Sequence, residues 1–288
     1  MSRSTEQVNF GQKKMNKKIL VFGKGYIGKK IYQFLKCDIT EKKIEKYIDI
    51  QEEIDKYQPK IIINAIGFTG YPNVDDCENH FDATIKANTF IPILFVEVAF
   101  RNKIKLIHLS SGCIYHFDHN KQSPLYERDT PNFYDLFYSR TKIYTEAVIN
   151  SLGNSVNILT LRIRIPLDNQ PNPKNVLDKL IRYKKIIDIP NSITYIPDFL
   201  QALKHLIKIN ARGVFNVVNK GGLRYPVLME IYQKYNPNYQ YEIVPLEKVL
   251  KTLRTNLLLS TRKLENTGFK VRKINDLLNE CVKKYIEY

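Results

Sequence analysis

Lys18-Ile-Leu-Val-Phe22 runs directly into Gly23-Lys-Gly25-Tyr-Ile-Gly28 and then into an amphipathic stretch that ends at Leu35. A short, unbroken apolar run of this kind forms a strand buried on both faces of a parallel sheet. The glycines that follow let the chain turn tightly and bring backbone close to a ligand. The amides opening the next helix, among Gly23, Gly25, Tyr26, Ile27 and Gly28, then face an anion with the helix dipole behind them. Glycine turns also occur for purely structural reasons. Here a strand precedes the turn, a helix follows it, and it opens the first patterned unit, so the reading is a dinucleotide-binding turn.

The pattern continues outward from that unit. A lysine-rich connection, Ile48-Asp49-Ile50 and a polar helix lead to a second apolar strand, Lys60-Ile-Ile-Ile-Asn64, which ends in Ala65-Ile66-Gly67. A long helix over 81–100, a strand over 104–109, a helix over 133–151 and a strand over 156–162 follow. Strands alternating with helices imply an α/β fold, a doubly wound parallel sheet of Rossmann type. Beyond Pro166, prolines at 171, 173, 190 and 197 punctuate short segments, and Gly213 to Val218 reads as a late strand. The expected organisation is a mobile tail over 1–16, a dinucleotide-binding domain over 17–165 and a smaller C-terminal substrate-binding lobe over 166–288. The late strand can return to the main sheet.

Composition bounds the function. At 288 residues and 43% apolar, the chain can build substantial cores. It shows neither an unbroken run of about 18 apolar residues nor an apolar N-terminal signal, so the expectation is a cytoplasmic protein without a membrane span. Cys37, Cys77, Cys113 and Cys281 are widely spaced, which argues against a zinc site and for free thiols. The net charge of +16 admits a nucleic-acid footprint or a basic surface around a pocket for phosphorylated ligands. Lysines scattered in pairs, as at Lys42-Lys43 and Lys184-Lys185, favour the second, and no nucleic-acid partner is expected.

Tyr-x-x-x-Lys is uninformative by spacing alone, because Tyr26/Lys30, Tyr32/Lys36 and Tyr138/Lys142 all share it. Only Tyr138 and Lys142 lie on a helix that follows a strand ending in hydroxyl residues, Ser110 and Ser111. Hydride delivery to a ketone builds negative charge on oxygen, and a phenol with a hydroxyl beside it supplies a proton and a hydrogen bond there. A nearby ammonium lowers the phenol's pKa and can hold a cofactor ribose. An ordinary amphipathic surface is the alternative reading.

Together the glycine turn, Asn64-Ala-Ile-Gly67, Ser111 and Tyr138-x-x-x-Lys142 resemble the extended short-chain dehydrogenase/reductases that act on nucleotide sugars. Longer strings are more specific: Gly70-Tyr-Pro-Asn-Val-Asp75, Ser111-Gly-Cys-Ile-Tyr115, Phe137-Tyr-Ser-Arg-Thr-Lys142 and Leu161-Arg-Ile-Arg-Ile-Pro166. They are similar to the bifunctional UDP-4-keto-6-deoxy-glucose 3,5-epimerase/4-reductases of plants and giant viruses, which complete UDP-L-rhamnose. The resemblance covers nearly everything from Lys18 onward. It implies two reactions in one pocket, epimerisation at C3 and C5 and then reduction at C4. Ser111, Tyr138 and Lys142 would serve the ketone, with Cys113 as one epimerising acid/base and Lys179 as its partner. His116 and His119 are the reserve candidates for that second group.

The same resemblance implies cofactor contacts at the glycine turn, at Asp49, Ile50, Ala65 and Gly67, and at Lys142. It implies substrate contacts at Asn175 and Arg254. The long helices flanking the sheet suit a homodimer formed by four-helix packing, which is the expected assembly. Asp49 reads equally well as a helix N-cap. Arg162 and Arg164 alternate on one strand and suit ion pairing as well as ligand contact. Lys42 and Lys43 suit a 2′-phosphate, which favours NADPH over NADH. No metal is expected. A reductase that receives epimerised substrate, a non-catalytic cofactor-binding subunit and a different nucleotide carrier all remain open.

Overall fold

In the computed structural model, residues 18–120, 123–248 and 254–288 are described; the tail expected over 1–16 lies outside them. β1 (Ile19–Phe22) leads through α1 (Tyr26–Leu35) to β2 (Asp38–Thr40), and α2 (Tyr47–Tyr57) leads on to β3 (Ile61–Asn64). One long helical run follows: α3 (Phe81–Ile85), a π-helical turn at Lys86–Phe90 and α4 (Ile91–Asn102). Next come β4 (Lys105–Ser111), α5 (Phe137–Ser151) and β5 (Ile158–Ile163). The second half contributes β6 (Pro166–Leu167), α6 (Val176–Tyr183), β7 (Lys185–Ile186), β8 (Thr194–Tyr195), α7 (Ile196–Lys208) and β9 (Gly213–Asn216). It closes with α8 (Tyr225–Tyr235), β10 (Glu242–Ile243), α9 (Arg262–Glu265) and α10 (Ile274–Glu287).

Six strands form one parallel sheet in the order β2-β1-β3-β4-β5-β9. Neighbouring residues of a strand point to opposite faces. Ile19 and Val21 therefore enter one core with Ile31 of α1 and Phe199 and Leu203 of α7, while Leu20 and Phe22 enter another with Ile50 of α2 and Phe95 and Val98 of α4. This two-sided burial is why β1 and β3 are apolar nearly throughout, as the sequence pattern requires of a doubly wound sheet, and β4, though more polar, is buried at every position. A third core, with Leu167, Leu177, Leu223, Leu228, Leu278 and Cys281, lies in the C-terminal half. The chain leaves that half to insert α7 and β9 into the main sheet and then returns.

Three local features differ from the sequence reading. β2 has no signature in the sequence, because an edge strand of three residues, only one of them buried, carries no apolar run. Ile48-Asp49-Ile50 is the first turn of α2, so Ile50 is sealed in the core and does not face a cofactor. α5 starts at Phe137 and not near Phe133, because Leu136 is extended (φ −109°, ψ 130°), which places Tyr138 in the helix's first turn. The run Phe81–Asn102 has a mean hydropathy of 1.4, enough by length and composition to cross a membrane, yet half of that window is buried inside the protein.

Candidate active site

β1 and β3 are neighbours whose connections leave to opposite sides, and open parallel sheets bind ligands in the crevice at such a switch point. The glycine turn sits there. At Gly23 (φ +102°) a Cβ would lie 2.8 Å from the Ala65 backbone, and at Gly28 it would lie 1.9 Å from the Gly23 carbonyl oxygen, so both must be glycine. Above Gly25 a Cβ would meet nothing within 4 Å: the turn leaves an open cradle. Gly25 is also the N-cap of α1 and has no side chain to cap the helix, so its first amides are presented to that cradle. Only the backbone of the next two residues serves the crevice. The Tyr26 hydroxyl donates to Asp168 Oδ2 at 2.7 Å, and Ile27 packs on the core.

The catalytic candidates converge beyond the C-terminal ends of β3 and β4. Ser111 is the last residue of β4, and its Oγ accepts from the Cys113 N–H at 3.1 Å and is hydrogen-bonded to Tyr138. Tyr138 is buried, and burial is the first cause that holds its phenol above the usual range. The Cys113 charge acts in the same direction, while the Ser111 hydrogen bond and Arg164 oppose it. Lys142 lies one turn on, 4% exposed, with Nζ 3.8 Å from the point where a Gly67 side chain would start. Burial lowers its pKa to about 8. Arg164 is a cation that lowers the pKa of the Tyr138 phenol, and the charge of Lys142 helps burial to keep His108 neutral.

The Cys113 thiol is hydrogen-bonded by an arginine. Arg164 Nη1 donates to Cys113 Sγ at 2.9 Å. Lys179 sits on α6 in a group of cations; burial first, then Lys174, Arg254 and Arg182, lower its pKa to about 8. Arg254 reaches across the crevice to Asp75 at 2.6 Å, and Lys174 donates to Thr69 Oγ1 and the Gly70 carbonyl. The two reserve histidines have partners of their own. His116 pairs with Asp135 at 2.9 Å on the surface, and exposed His119 bonds the Asn256 carbonyl.

Other expected contacts prove structural. The Asp49 carboxylate accepts from the Glu45 and Lys46 amides, which lower its pKa; it stands at the third position of α2 and bonds back to Lys46, the N-cap, so it is half of a capping box and not the N-cap itself. Asn175 is fully buried, with Oδ1 accepting from Asp168 and Leu177 and Nδ2 donating to the Asp168 and Gln170 carbonyls. Its amide is thereby committed to capping α6 and offers nothing to a substrate. Arg162 is buried against Glu146, whereas Arg164, two residues on, reaches the site.

Two site residues escaped the sequence reading. Buried Asn88, in the π-helical turn, binds both the N–H and the carbonyl of Phe68 at 3.0 and 2.9 Å and so fixes the segment after Gly67. A π turn at that place marks a functional helix, but its sequence reads as ordinary helix. Tyr225, at the start of α8, is the second. Burial raises its pKa to about 12, and the charges of Arg164, Arg254 and Cys113 act on it, so it lies in the field of the thiol and the cation group.

A family model described as the RmlD substrate binding domain matches residues 17–286. A trifunctional UDP-glucose 4,6-dehydratase/UDP-4-keto-6-deoxy-D-glucose 3,5-epimerase/UDP-4-keto-L-rhamnose-reductase of Arabidopsis thaliana is 32% identical over 284 residues, 93% of this chain and 42% of that protein. The chain thus spans less than half the length of that relative. A bifunctional dTDP-4-dehydrorhamnose 3,5-epimerase/dTDP-4-dehydrorhamnose reductase of the same plant is 34% identical over 242 residues, 81% of this chain and 79% of that one. Among solved structures, the UDP-rhamnose synthase of Acanthamoeba polyphaga mimivirus superposes with a TM-score of 0.86 at 27% identity, covering 93% of this chain and 99% of that one.

Proposed function

This chain belongs to the RmlD substrate binding domain family, and from that premise we propose that it is an NADPH-dependent nucleotide-sugar 4-reductase that also epimerises its substrate at C3 and C5. The substrate is UDP-4-keto-6-deoxy-glucose and the product UDP-L-rhamnose. One observation carries the reading: Ser111, Tyr138 and Cys113 meet in a single cluster, so donors to a ketone oxygen stand beside a thiol able to act at the adjoining carbons.

The open cradle over Gly25 and the uncapped start of α1 fit the pyrophosphate of a dinucleotide. Lys24, Lys42 and Lys43, next to the end of β2, stand where a 2′-phosphate would be held; their present partners Glu41, Glu52 and Glu45 are exposed pairs of little strength. NADPH supplies the hydride for C4. Lys142, against Gly67, holds the ribose side of the cleft.

The remaining steps belong to the chain's own groups. A 4-keto group acidifies the C–H bonds at C3 and C5. Ser111 and Tyr138 donate to O4 while charge collects there, first as an enolate and later as an alkoxide that Tyr138 protonates. Its raised pKa keeps the phenol protonated at neutral pH, the form that a donor needs. Lys179, with a pKa of about 8, is mostly ammonium at pH 7 and returns a proton to the epimerised carbon. Lys174 and Arg254 offer cations to the diphosphate. The exposed Phe81, Phe90, Tyr144 and Val148 on the long helices support a homodimer.

The test is incubation with UDP-4-keto-6-deoxy-glucose and NADPH in deuterium oxide, with the product identified by NMR. Deuterium at C3 and C5 without NADPH is the expected signature of the epimerase. Reduction of an already epimerised ketone with no such exchange would leave a reductase alone.

A further inference from the structure

Arg164 is 2% exposed, and each of the five N–H groups of its guanidinium has an acceptor. Nε and Nη2 donate to Asn191 Oδ1 at 3.0 and 2.8 Å, Nη2 also reaches the Thr255 carbonyl, and Nη1 donates to Thr255 Oγ1 at 3.1 Å and to Cys113 Sγ at 2.9 Å. Among these acceptors only the sulfur can carry a charge. No carboxylate pairs with Arg164 among the described residues, in contrast to Arg162, whose buried guanidinium is matched by Glu146. A buried cation without a counter-charge is strongly unfavourable.

We propose that Arg164 is a positioning residue that holds Cys113 as a thiolate and so makes it the base of the epimerising pair. The inference rests on the epimerase reading above for its purpose, though not for its geometry. The other ionisable groups that face the sulfur are the phenols of Tyr138, from α5, and Tyr225, from α8. Burial keeps both un-ionised near neutral pH, so neither supplies the missing charge. Ser111 takes the Cys113 N–H and thereby fixes the backbone that aims the thiol. In the step, Sγ takes a proton from the carbon next to the ketone: an S–H bond forms, the C–H bond breaks, and its electron pair moves toward O4. Lys179 then delivers a different proton to the opposite face; the thiol gives up its own to solvent to restore the thiolate, and the Lys179 amine takes one from solvent to restore the ammonium. An arginine suits the task because it stays charged throughout and cannot itself accept the proton.

The experiment follows alkylation of Cys113 by iodoacetamide from pH 5 to 10 in the full chain, read peptide by peptide so that Cys37, Cys77 and Cys281 are separated from it. In the wild type the midpoint is expected at least one pH unit below the ordinary thiol value of about 8.5. In Arg164→Met it moves up to that value or above, with at least a tenfold slower reaction at pH 6.5, and Arg164→Lys recovers part of the shift. A wild-type midpoint at or above about 8.5 overturns the proposal whether or not the variants fold. So does an unchanged midpoint in a folded Arg164→Met. Deuterium exchange at C3 and C5, measured on the same wild-type preparation, separates the two claims. A low midpoint without exchange removes the epimerase and leaves the ion pair; exchange with a high midpoint does the reverse.

Discussion

Replacing Lys142 by methionine should make the protein more stable while abolishing its reductase chemistry. The ammonium is 4% exposed and titrates near about 8, against 10.5 for an unperturbed lysine. At about 1.36 kcal/mol per pH unit, charging it inside the fold costs on the order of 3 kcal/mol at pH 7. The sign follows from proton linkage. Between pH 8 and 10.5 the unfolded chain holds this proton and the folded one does not, so wild-type stability gains with rising pH across that window. Methionine has a similar unbranched shape and carries no charge, and it lacks the penalty at every pH. Urea unfolding of the cofactor-free protein at pH 7.0, 8.5 and 10 should therefore show the variant ahead by roughly 2–3 kcal/mol at neutral pH and the gap closing toward pH 10.5. Turnover with NADPH should fall by a factor of about 10² or more. A variant that is less stable than wild type at pH 7, or a gap that does not change with pH, would refute the reasoning.

Three further outcomes can be checked. Glu146→Gln leaves the Arg162 guanidinium buried without its carboxylate and should cost about 3–5 kcal/mol, read as a lower urea midpoint; pairing it with Arg162→Met should recover most of that loss. If Lys179 is the acid of the proposed epimerisation, its pKa of about 8 requires that exchange at C3 and C5 decline as pH rises through 8, and Lys179→Met should remove that limb of the profile. Arg254→Ala deletes a cation from the crevice and should raise KM for the nucleotide sugar about tenfold or more with a smaller change in kcat, measured by steady-state NADPH oxidation.

What could be read from the residues alone was the part that repeats with a regular period or requires one residue type. The strands around Ile19–Phe22 and Ile61–Asn64 are apolar at nearly every position because both faces of the sheet are covered, and the glycines at 23 and 28 are the only side chains that fit their turn. Those features exist in a single stretch of chain, so local order carries them. The three-residue β2 and the displaced start of α5 escaped because an edge strand and a helix terminus depend on neighbours more than on their own pattern.

Tertiary structure decided which polar groups meet. Asp49 and Asn175 had the residue types of ligand contacts, yet their side-chain oxygens are spent on backbone amides of the protein itself. Arg162 and Arg164 are indistinguishable on the strand; one is drawn to Glu146 from α5 and the other to Cys113 past the end of β4. Residue type and spacing thus determined the sheet, the glycine turn and the set of candidate groups. Partner, burial and charge state were settled only when segments far apart in the sequence were packed together, as with Tyr26 and Asp168, 142 residues apart. The physical reason is that a charge or hydrogen bond in a protein interior takes its strength from whatever surrounds it in three dimensions.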